Sequence, residues 1–471
     1  MKRIDILPDD VLLDIFDFYV NLPQEYSLEL WKEEVLWQSL VHVCRRWRNL
    51  VFGSPRRLKL RLHCSPTTPA RDTLEVWPAL PLIVKGDMTL SGTSTDDIVA
   101  ALGQSDRVYE VFLWGLAGSQ LEKVLPAMQV PFPELTELRL YSNRETLPVI
   151  PDSFLGGSAP RLQIFSSTGV PFPGLPKFRL SVDHLLYLEL IDIPHSGYIS
   201  PEVMVALLSV LPGLRRLSLQ FQSPQSHPDW ENRPPPPLKR FILPALHEFH
   251  FKGVTEYLEE LVTHIDTPQL NRMFITFFNQ IDFDCPQLAR FIIRTPTLRA
   301  LNEAHVQFDI NNASVTLRYR KFDIRFGDIQ IIIPCREQDW QLSAIEQVCN
   351  SSLHPLSAIV DLYIDRRYVP LVWKNDAIED VQWWQLLLPF TAVKNLYLSK
   401  EFAPGIAAAL RELVKGRMTV VLPSLQNILV EAFEPSGPLH ENFGQFARSL
   451  VATRELSDYP INVSHWIKTS T

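Results

Sequence analysis

A recurring apolar pattern restricts this chain more than any other feature. LTELRLYSN, at Leu135–Asn143, satisfies L-x-x-L-x-L-x-x-N at every defined place. Segments with apolar residues at the same first, fourth and sixth places begin at Leu185, Leu214, Leu246, Leu270, Ile359, Val393 and Leu425, with an imperfect one at Leu162. From Leu135 to Leu270 they are spaced by 27, 23, 29, 32 and 24 residues, and from Ile359 to Leu425 by 34 and 32. That is the length of one strand-plus-helix unit. Three apolar places alone recur by accident in a chain that is 46% hydrophobic, so a second signal matters. Pro-x-Leu occurs eleven times, where random placement of 38 prolines gives about five. Most of the surplus sits two residues before a strand anchor, which reads as a proline ending the preceding helix.

Between the strand segments, apolar residues at 3–4 spacing predict helices over 201–211, 255–265, 286–293, 378–388 and 404–414. Strand then helix, repeated, specifies an α/β chain: a leucine-rich-repeat-like solenoid with parallel strands on a concave face and helices on a convex face. The expected span is 73–471. Two insertions interrupt it, a proline-rich loop at 223–237 and a stretch at 297–334 whose alternation predicts a β-hairpin or meander. A helix near 440–455 and a strand over 460–467 are expected to cap the apolar end.

Composition removes several function classes. With 45 basic and 53 acidic residues the net charge is −8, a field that repels a phosphate backbone, so no nucleic-acid partner is expected. Five cysteines without a C-x-x-C pair write neither a disulfide framework nor a zinc site, and predict reduced, buried thiols. Asp5, Asp9, Asp10 and Asp14 break the apolar run a signal segment needs, and no uncharged run reaches membrane-span length. The expectation is an intracellular protein of the cytoplasm or nucleus, with no membrane partner. Phosphate-cradling and nucleophile-elbow motifs are absent. No catalytic residue, metal ligand or cofactor is therefore expected. His247 and His250 fall on opposite faces of a strand and cannot share a metal. Trp383-Trp384 reads as core, with Trp384 in register with Val381, Leu387 and Leu388.

The first fifty-odd residues read differently, as helix. Pro8, Asp9 and Asp10 open an amphipathic stretch with Val11, Leu12, Ile15, Phe16 and Tyr19 at helical spacing. Leu36, Leu40, Val43, Trp47 and Leu50 continue the period in a second stretch, capped by Ser27 and stopped by Gly53-Ser54-Pro55. A helical unit this small leaves apolar stripes uncovered. From Arg45 to Arg61 there are seven Lys or Arg and no acid, followed by a polar run, so 56–72 reads as a linker with a solvated basic face.

Leu7-Pro8-Asp9-Asp10-Val11-Leu12-Leu13-Asp14-Ile15-Phe16, with Val43-Cys44-Arg45-Arg46-Trp47-Arg48 and Ser54-Pro55, resembles the F-box. The whole chain is similar to the expanded F-box families of mushroom-forming fungi, with one departure: Asp17 to Trp37 is longer than the usual spacer. The resemblance implies an F-box over 1–55 that binds a Skp-type adaptor and, through it, cullin and a RING protein. It implies a non-catalytic role as substrate receptor of a Skp–cullin–F-box ubiquitin ligase, with an unknown protein substrate. By this likeness Leu7, Pro8, Leu12, Ile15, Phe16, Val43, Cys44 and Trp47 are the adaptor-facing or core motif positions.

Alternation within each L-x-x-L-x-L segment gives the candidate substrate face. The outward places are Glu137, Arg139 and Tyr141; Tyr187 and Glu189; Arg216 and Gln220; Glu248, His250 and Lys252; Arg272 and Phe274; Asp361, Tyr363 and Asp365; and Asn395 and Tyr397. The contact residues expected among them are Arg139, Tyr141, Tyr187, Arg216, His250, Arg272, Tyr363 and Tyr397, being the residue types that dominate hot spots. Two other classes of function compete with the ligase reading. One is a non-ligase F-box scaffold; the other is a hydrolase-like pocket formed by the two insertions, for which no motif exists.

Overall fold

The computed structural model describes residues 7–20, 36–65, 70–90, 94–142, 147–177, 179–180, 184–224, 240–278, 283–299, 301–319, 328–351, 353–366, 380–399, 401–403, 405–406, 421–431 and 461–466. The architecture is mixed α/β and dominated by parallel strand pairing. The chain divides into two compact units, Met1–Tyr198 and Ile199–Thr471.

The first unit opens with helices α1 (Asp9–Val20), α2 (Leu36–Val41) and α3 (Arg45–Gly53). Strands β1 (Leu62–Cys64), β2 (Leu82–Asp87), β3 (Val108–Trp114), β4 (Glu137–Tyr141), β5 (Ile164–Thr168) and β6 (Tyr187–Ile193) follow, each parallel to the next. Helices α4 (Ala70–Val76), α5 (Thr95–Leu102) and α6 (Gly118–Ala127) alternate with the strands.

The second unit contributes helices α7 (Pro201–Leu208), α8 (Thr255–His264), α9 (Pro286–Arg294), α10 (Gln338–Ser351) and α11 (Asp380–Leu387). Its strands are β7 (Arg216–Phe221), β8 (Glu248–Gly253), β9 (Arg272–Phe277), β10 (Glu303–Phe308), β11 (Asn312–Arg318), β12 (Asp328–Pro334), β13 (Asp361–Arg366), β14 (Asn395–Leu398), β15 (Asn427–Glu431) and β16 (Asn462–Trp466). They lie in the order β7-β8-β9-β12-β11-β10-β13-β14-β15-β16. The 297–334 stretch is thus a meander, and it is no excursion from the array. β12 pairs parallel with β9, β10 pairs parallel with β13, and only the pairs on either side of β11 are antiparallel.

One local device repeats before the strands. At Pro133, Pro160, Pro173, Pro212, Pro244, Pro268, Pro296 and Pro423 the residue two places on donates its N–H to the carbonyl of the residue before the proline, at 3.1–3.3 Å. Each is a tight turn with proline at its second position, where the fixed φ of the ring is already correct. Proline here builds the turn, rather than merely ending a helix as its position suggested. The turn's last residue drops into the core: Leu135, Leu162, Leu175, Leu214, Leu246, Leu270 and Leu298 are fully buried and Leu425 nearly so. Leu270→Ala is expected to cost about 2–5 kcal/mol, seen as a lower urea midpoint.

A second device ties neighbouring helices. Glu259 on α8 is 3% exposed and accepts the backbone N–H groups of Gln287 (2.9 Å) and Leu288 (2.7 Å), two donors that the first turn of α9 cannot satisfy internally. A buried carboxylate at a helix start is favourable only because those donors and the helix dipole meet it. Glu259→Ala leaves both donors buried and unmet, and is expected to destabilise the second unit by about 2–4 kcal/mol, against a smaller loss for Glu259→Gln, measured by chemical unfolding.

The segment expected as a linker is part of the fold. In RRLKLRL the alternate residues Leu58, Leu60 and Leu62 are 0–2% exposed, β1 extends the sheet beyond β2, and Trp37 Nε1 donates to the Arg61 carbonyl at 3.0 Å. Trp37 also packs edge-on against Phe52 and Trp77. The basic run is met by carboxylates in the same unit: Arg46 by Asp9, Arg57 by Asp14, and Arg61 by Glu110 at 2.6 Å. A boundary at 73 would therefore strip an edge strand from the sheet. We expect a fragment beginning at Ser54 to melt cooperatively at higher temperature than one beginning at Thr73, by scanning calorimetry.

Two smaller readings change. Trp383, 2% exposed, is the buried member of its pair, packing near Phe308 and Phe402, while Trp384 is half-buried; the inward stripe of α11 is Trp383, Leu386 and Leu387. Four thiols, Cys64, Cys285, Cys335 and Cys349, are buried, and burial pushes Cys64 up to about 11, but Cys44 is partly exposed. Most of the expected spacer within 17–37, the 225–237 part of the proline-rich loop, most of helix 404–414 and the closing helix at 440–455 lie outside the described residues.

Candidate functional site

Two surfaces collect the candidate residues. The first is on the N-terminal helices. On α1, Leu12 (1% exposed), Leu13 and Phe16 (0%) face inward, and Phe16 meets the Trp47 ring at 4.7 Å. Arg46 fixes the start of α1 on α3 by donating to Asp9 Oδ1 and to the Leu7 carbonyl. Cys44 begins α3, its Sγ accepting the Trp47 N–H at 3.5 Å. Leu12 and Phe16 are therefore internal packing, which removes them from any contact face; Trp47 and Leu7 are half-buried. Pro8 is exposed, Ile15 is 47% exposed and Val43 is 58% exposed.

The same helix carries a second apolar stripe. Val11, Ile15 and Phe18 stand at i, i+4 and i+7, exposed by 37%, 47% and 71%, with Tyr19 beside them. Phe18 was absent from the sequence-derived set, although its helical spacing from Val11 and Ile15 is the signal that finds it. With an apolar stripe on each side of a short helix, one side is core and the other stays exposed to water. The two are separable: Phe16→Ala is expected to cost about 3–5 kcal/mol of stability, while Phe18→Ala leaves the thermal midpoint within a degree or two.

The second surface is the sheet face away from the core. Pairing is residue for residue, so equivalent places line up in rows across the strands. Inward places are occupied by residues such as Leu138, Leu140, Phe249, Met273, Leu362 and Leu396, all fully buried. In the first unit Glu137 accepts from Arg139, and Tyr141 packs with Trp114 (4.6 Å) and Phe112 (5.5 Å). Tyr187 stands beside Ile164.

In the second unit one row reads Arg216, Glu248, Arg272, Asp328, Arg318, Glu303, Asp361, Asn395 and Asn427. Charges alternate along its first half: Arg216 reaches Glu248 at 2.7 Å and Arg318 reaches Asp328 at 3.5 Å. Burial alone would raise the Glu248 carboxyl, but hydrogen bonding from His250 and the Arg216 charge outweigh it and hold it below its ordinary value. Toward β15 the row becomes an amide ladder, Asn395 donating to Asp361 at 2.6 Å and Asn427 to Asn395 at 2.7 Å. Arg139 and Arg216 thus spend their charge on neighbours, so their type alone overstated them as contact residues.

The adjacent row holds rings. His250 packs on Phe274 at 4.6 Å. Farther along, His305, Tyr363 and Tyr397 form one stack, with centroids 4.4 and 4.1 Å apart and planes within 5° and 7°. His305 Nε2 lies 2.6 Å from Glu303 Oε1. Burial, with Tyr397 alongside, raises the Tyr363 phenol well above its ordinary value, so it stays protonated across the physiological range. The sequence brought Tyr363 and Tyr397 together but missed Glu303, His305, Arg318, Asp328 and Gln330, which occupy the same rows through the meander. The alternation of Glu303–Phe308 was the available signal. Tyr363→Ala should release Tyr397 and lower stability by about 1–3 kcal/mol, read by urea unfolding.

Among the described residues no group of three or more His, Cys, Asp or Glu is placed to hold a metal, and no helix is long and apolar enough to cross a membrane. No family model matches the chain, and no curated protein matches it. Among solved structures, the chain has a distant neighbour in the leucine-rich repeat-containing protein LegL7 from Legionella pneumophila. The two are 12% identical, with 83% of this chain and 97% of that one covered, at a TM-score of 0.26.

Proposed function

We propose that this chain is the substrate-recognition subunit of a Skp–cullin–F-box E3 ubiquitin ligase. In this reading α1–α3 are an F-box that docks on a Skp-type adaptor. The strand-and-helix array is an irregular leucine-rich-repeat solenoid whose sheet face captures a protein substrate. The reading is supported above all by the second stripe of α1, because Val11, Ile15 and Phe18, with Val43 nearby in sequence to α3, offer water an apolar surface that the unit itself leaves open. Val11, Ile15 and Val43 belong to the Leu-Pro…Ile-Phe…Val-Cys-Arg sequence that resembles the F-box, Phe18 extends their stripe by one turn, and Leu12, Phe16 and Trp47 supply the packing that keeps α1 rigid behind them.

Such a receptor forms and breaks no bond. It holds a substrate near a ubiquitin-charged enzyme carried by cullin and the RING protein, and the gain is effective concentration. Burying Ile15 and Phe18 is worth about 1.5–3 kcal/mol each, so Ile15→Asp with Phe18→Ala should weaken adaptor binding by two to four decades while far-UV circular dichroism stays unchanged. Undiminished co-purification of a Skp-type adaptor with that double variant would sink the assignment. Addition of cullin to the adaptor complex separates a ligase subunit from an F-box scaffold: a scaffold forms the adaptor complex and no ternary one.

A further inference from the structure

Arginines of α3 hold the backbone of the segments that flank it. Arg46 Nε and Nη2 both donate to Asp9 Oδ1, at 3.0 and 2.5 Å, and Nη2 also donates to the Leu7 carbonyl at 2.6 Å, across 37 and 39 residues of chain. Arg48 Nε donates to the Val41 carbonyl at 3.0 Å and so ties the end of α2 to the same helix. Leu7 and Pro8 lie ahead of α1 and belong to no helix or strand; the Leu12 N–H reaches the Pro8 carbonyl at 3.1 Å and closes the first turn on it. Pro8 is exposed and stands three places before Val11, so Pro8, Val11, Ile15 and Phe18 continue one stripe at helical spacing. Its first member sits on backbone that no helical bond restrains from the N-terminal side, and an untethered segment of that kind carries conformational entropy that a partner would have to remove. An ion pair whose side chains are 36% and 59% exposed adds little to folding. What its geometry does supply is order, because one planar guanidinium reaches the first residue of α1 and the residue two places ahead of it together.

We propose that Arg46 is a positioning residue for the docking surface of the N-terminal helices, fixing Leu7-Pro8 against α3 so that the four-residue stripe exists as one rigid surface before the adaptor arrives. It acts through Asp9 and the Leu7 carbonyl, and its effect on binding is the ordering cost that the free protein has already met. The basic run of α3, which by composition reads as a solvated face, is in this account part of the frame behind the surface. The inference rests on the reading of α1–α3 as an adaptor-docking F-box, and adds to it the residue that holds that surface in shape.

The test titrates the full chain with a purified Skp-type adaptor. Arg46→Gln is expected to weaken adaptor binding at least about fivefold while the thermal midpoint stays within a degree or two. Hydrogen exchange of the free chain separates positioning from folding: the amides of residues 9–12 should exchange at least about fivefold faster in the variant, with the rest of the first unit unchanged. Arg46→Lys keeps the charge and loses the fork, so it should remain at least about threefold weaker than the unaltered chain. Asp9→Asn added to Arg46→Gln should weaken binding no more than about twofold further, since both changes break one contact. Unchanged adaptor affinity in Arg46→Gln overturns the proposal. So does full recovery with lysine, which would assign the effect to charge alone, and so does a midpoint lowered by more than a few degrees with exchange raised throughout the first unit, which would make Arg46 a folding residue. Failure of the unaltered chain to bind the adaptor removes the F-box reading and this inference together, whereas binding that Arg46→Gln leaves intact removes the inference alone.

Discussion

In-register pairing of short strands is the constraint on which the other features depend. When each strand meets the next residue for residue, a side chain's row is fixed by its offset from the buried leucine that ends the preceding turn. The Pro-x-Leu turn sets that offset. It places Leu135, Leu162, Leu214, Leu246, Leu270 and Leu425 at the same depth two residues before a strand begins. A slip of one residue would bury Glu248 and expose Phe249, a loss far larger than any one surface contact returns. The rows of rings and charges are therefore consequences of core packing, and the chemistry of the face could vary without changing the frame.

The meander over β10, β11 and β12 shows how firmly that constraint holds. Two antiparallel joins interrupt the parallel order, yet His305 still stands beside Tyr363 and Arg272 still stands beside Asp328. The antiparallel strand β11 keeps Val315 and Leu317 inward while Thr316 lies in the row of His305 and Gln330. An even number of reversals restores the parallel direction, so the array resumes at β13 with its rows intact.

Much of this was legible in the sequence, and the misses have physical causes. Apolar alternation located the inward residues of β4, β7, β8, β9, β13 and β14, because a core position tolerates little else. The roles of surface residues were less legible. Arg139 and Arg216 read as anchors by residue type, but Glu137 stands two places before Arg139 on the same strand face and pairs with it, and the register of β7 with β8 brings Glu248 to Arg216. On α1 the same periodicity that found Leu12 and Phe16 cannot say which of two apolar stripes faces in. Tertiary packing decides it, with Trp47 covering Phe16 while Ile15 and Phe18 stand 47% and 71% exposed. The linker reading failed because charged residues at Arg57, Lys59 and Arg61 masked a period-two pattern whose alternate members, Leu58, Leu60 and Leu62, are core.

The two α1 stripes also bear on how stability and recognition are divided. Phe16 and Leu12 are fixed by contacts made within the first unit, so changing them alters folding before it alters binding. Ile15 and Phe18 make the opposite case: at 47% and 71% exposed, they add little to the unit in isolation. On the sheet face, order comes from neighbouring strands. Along the row from Arg216 to Glu303 opposite charges alternate, Arg216 pairing with Glu248 and Arg318 with Asp328, and the row beside it is ordered by the His305–Tyr363–Tyr397 stack. A face whose rows are held by their own pairs and stacks is rigid in the free protein, and a rigid face carries a lower ordering cost in any recognition it makes.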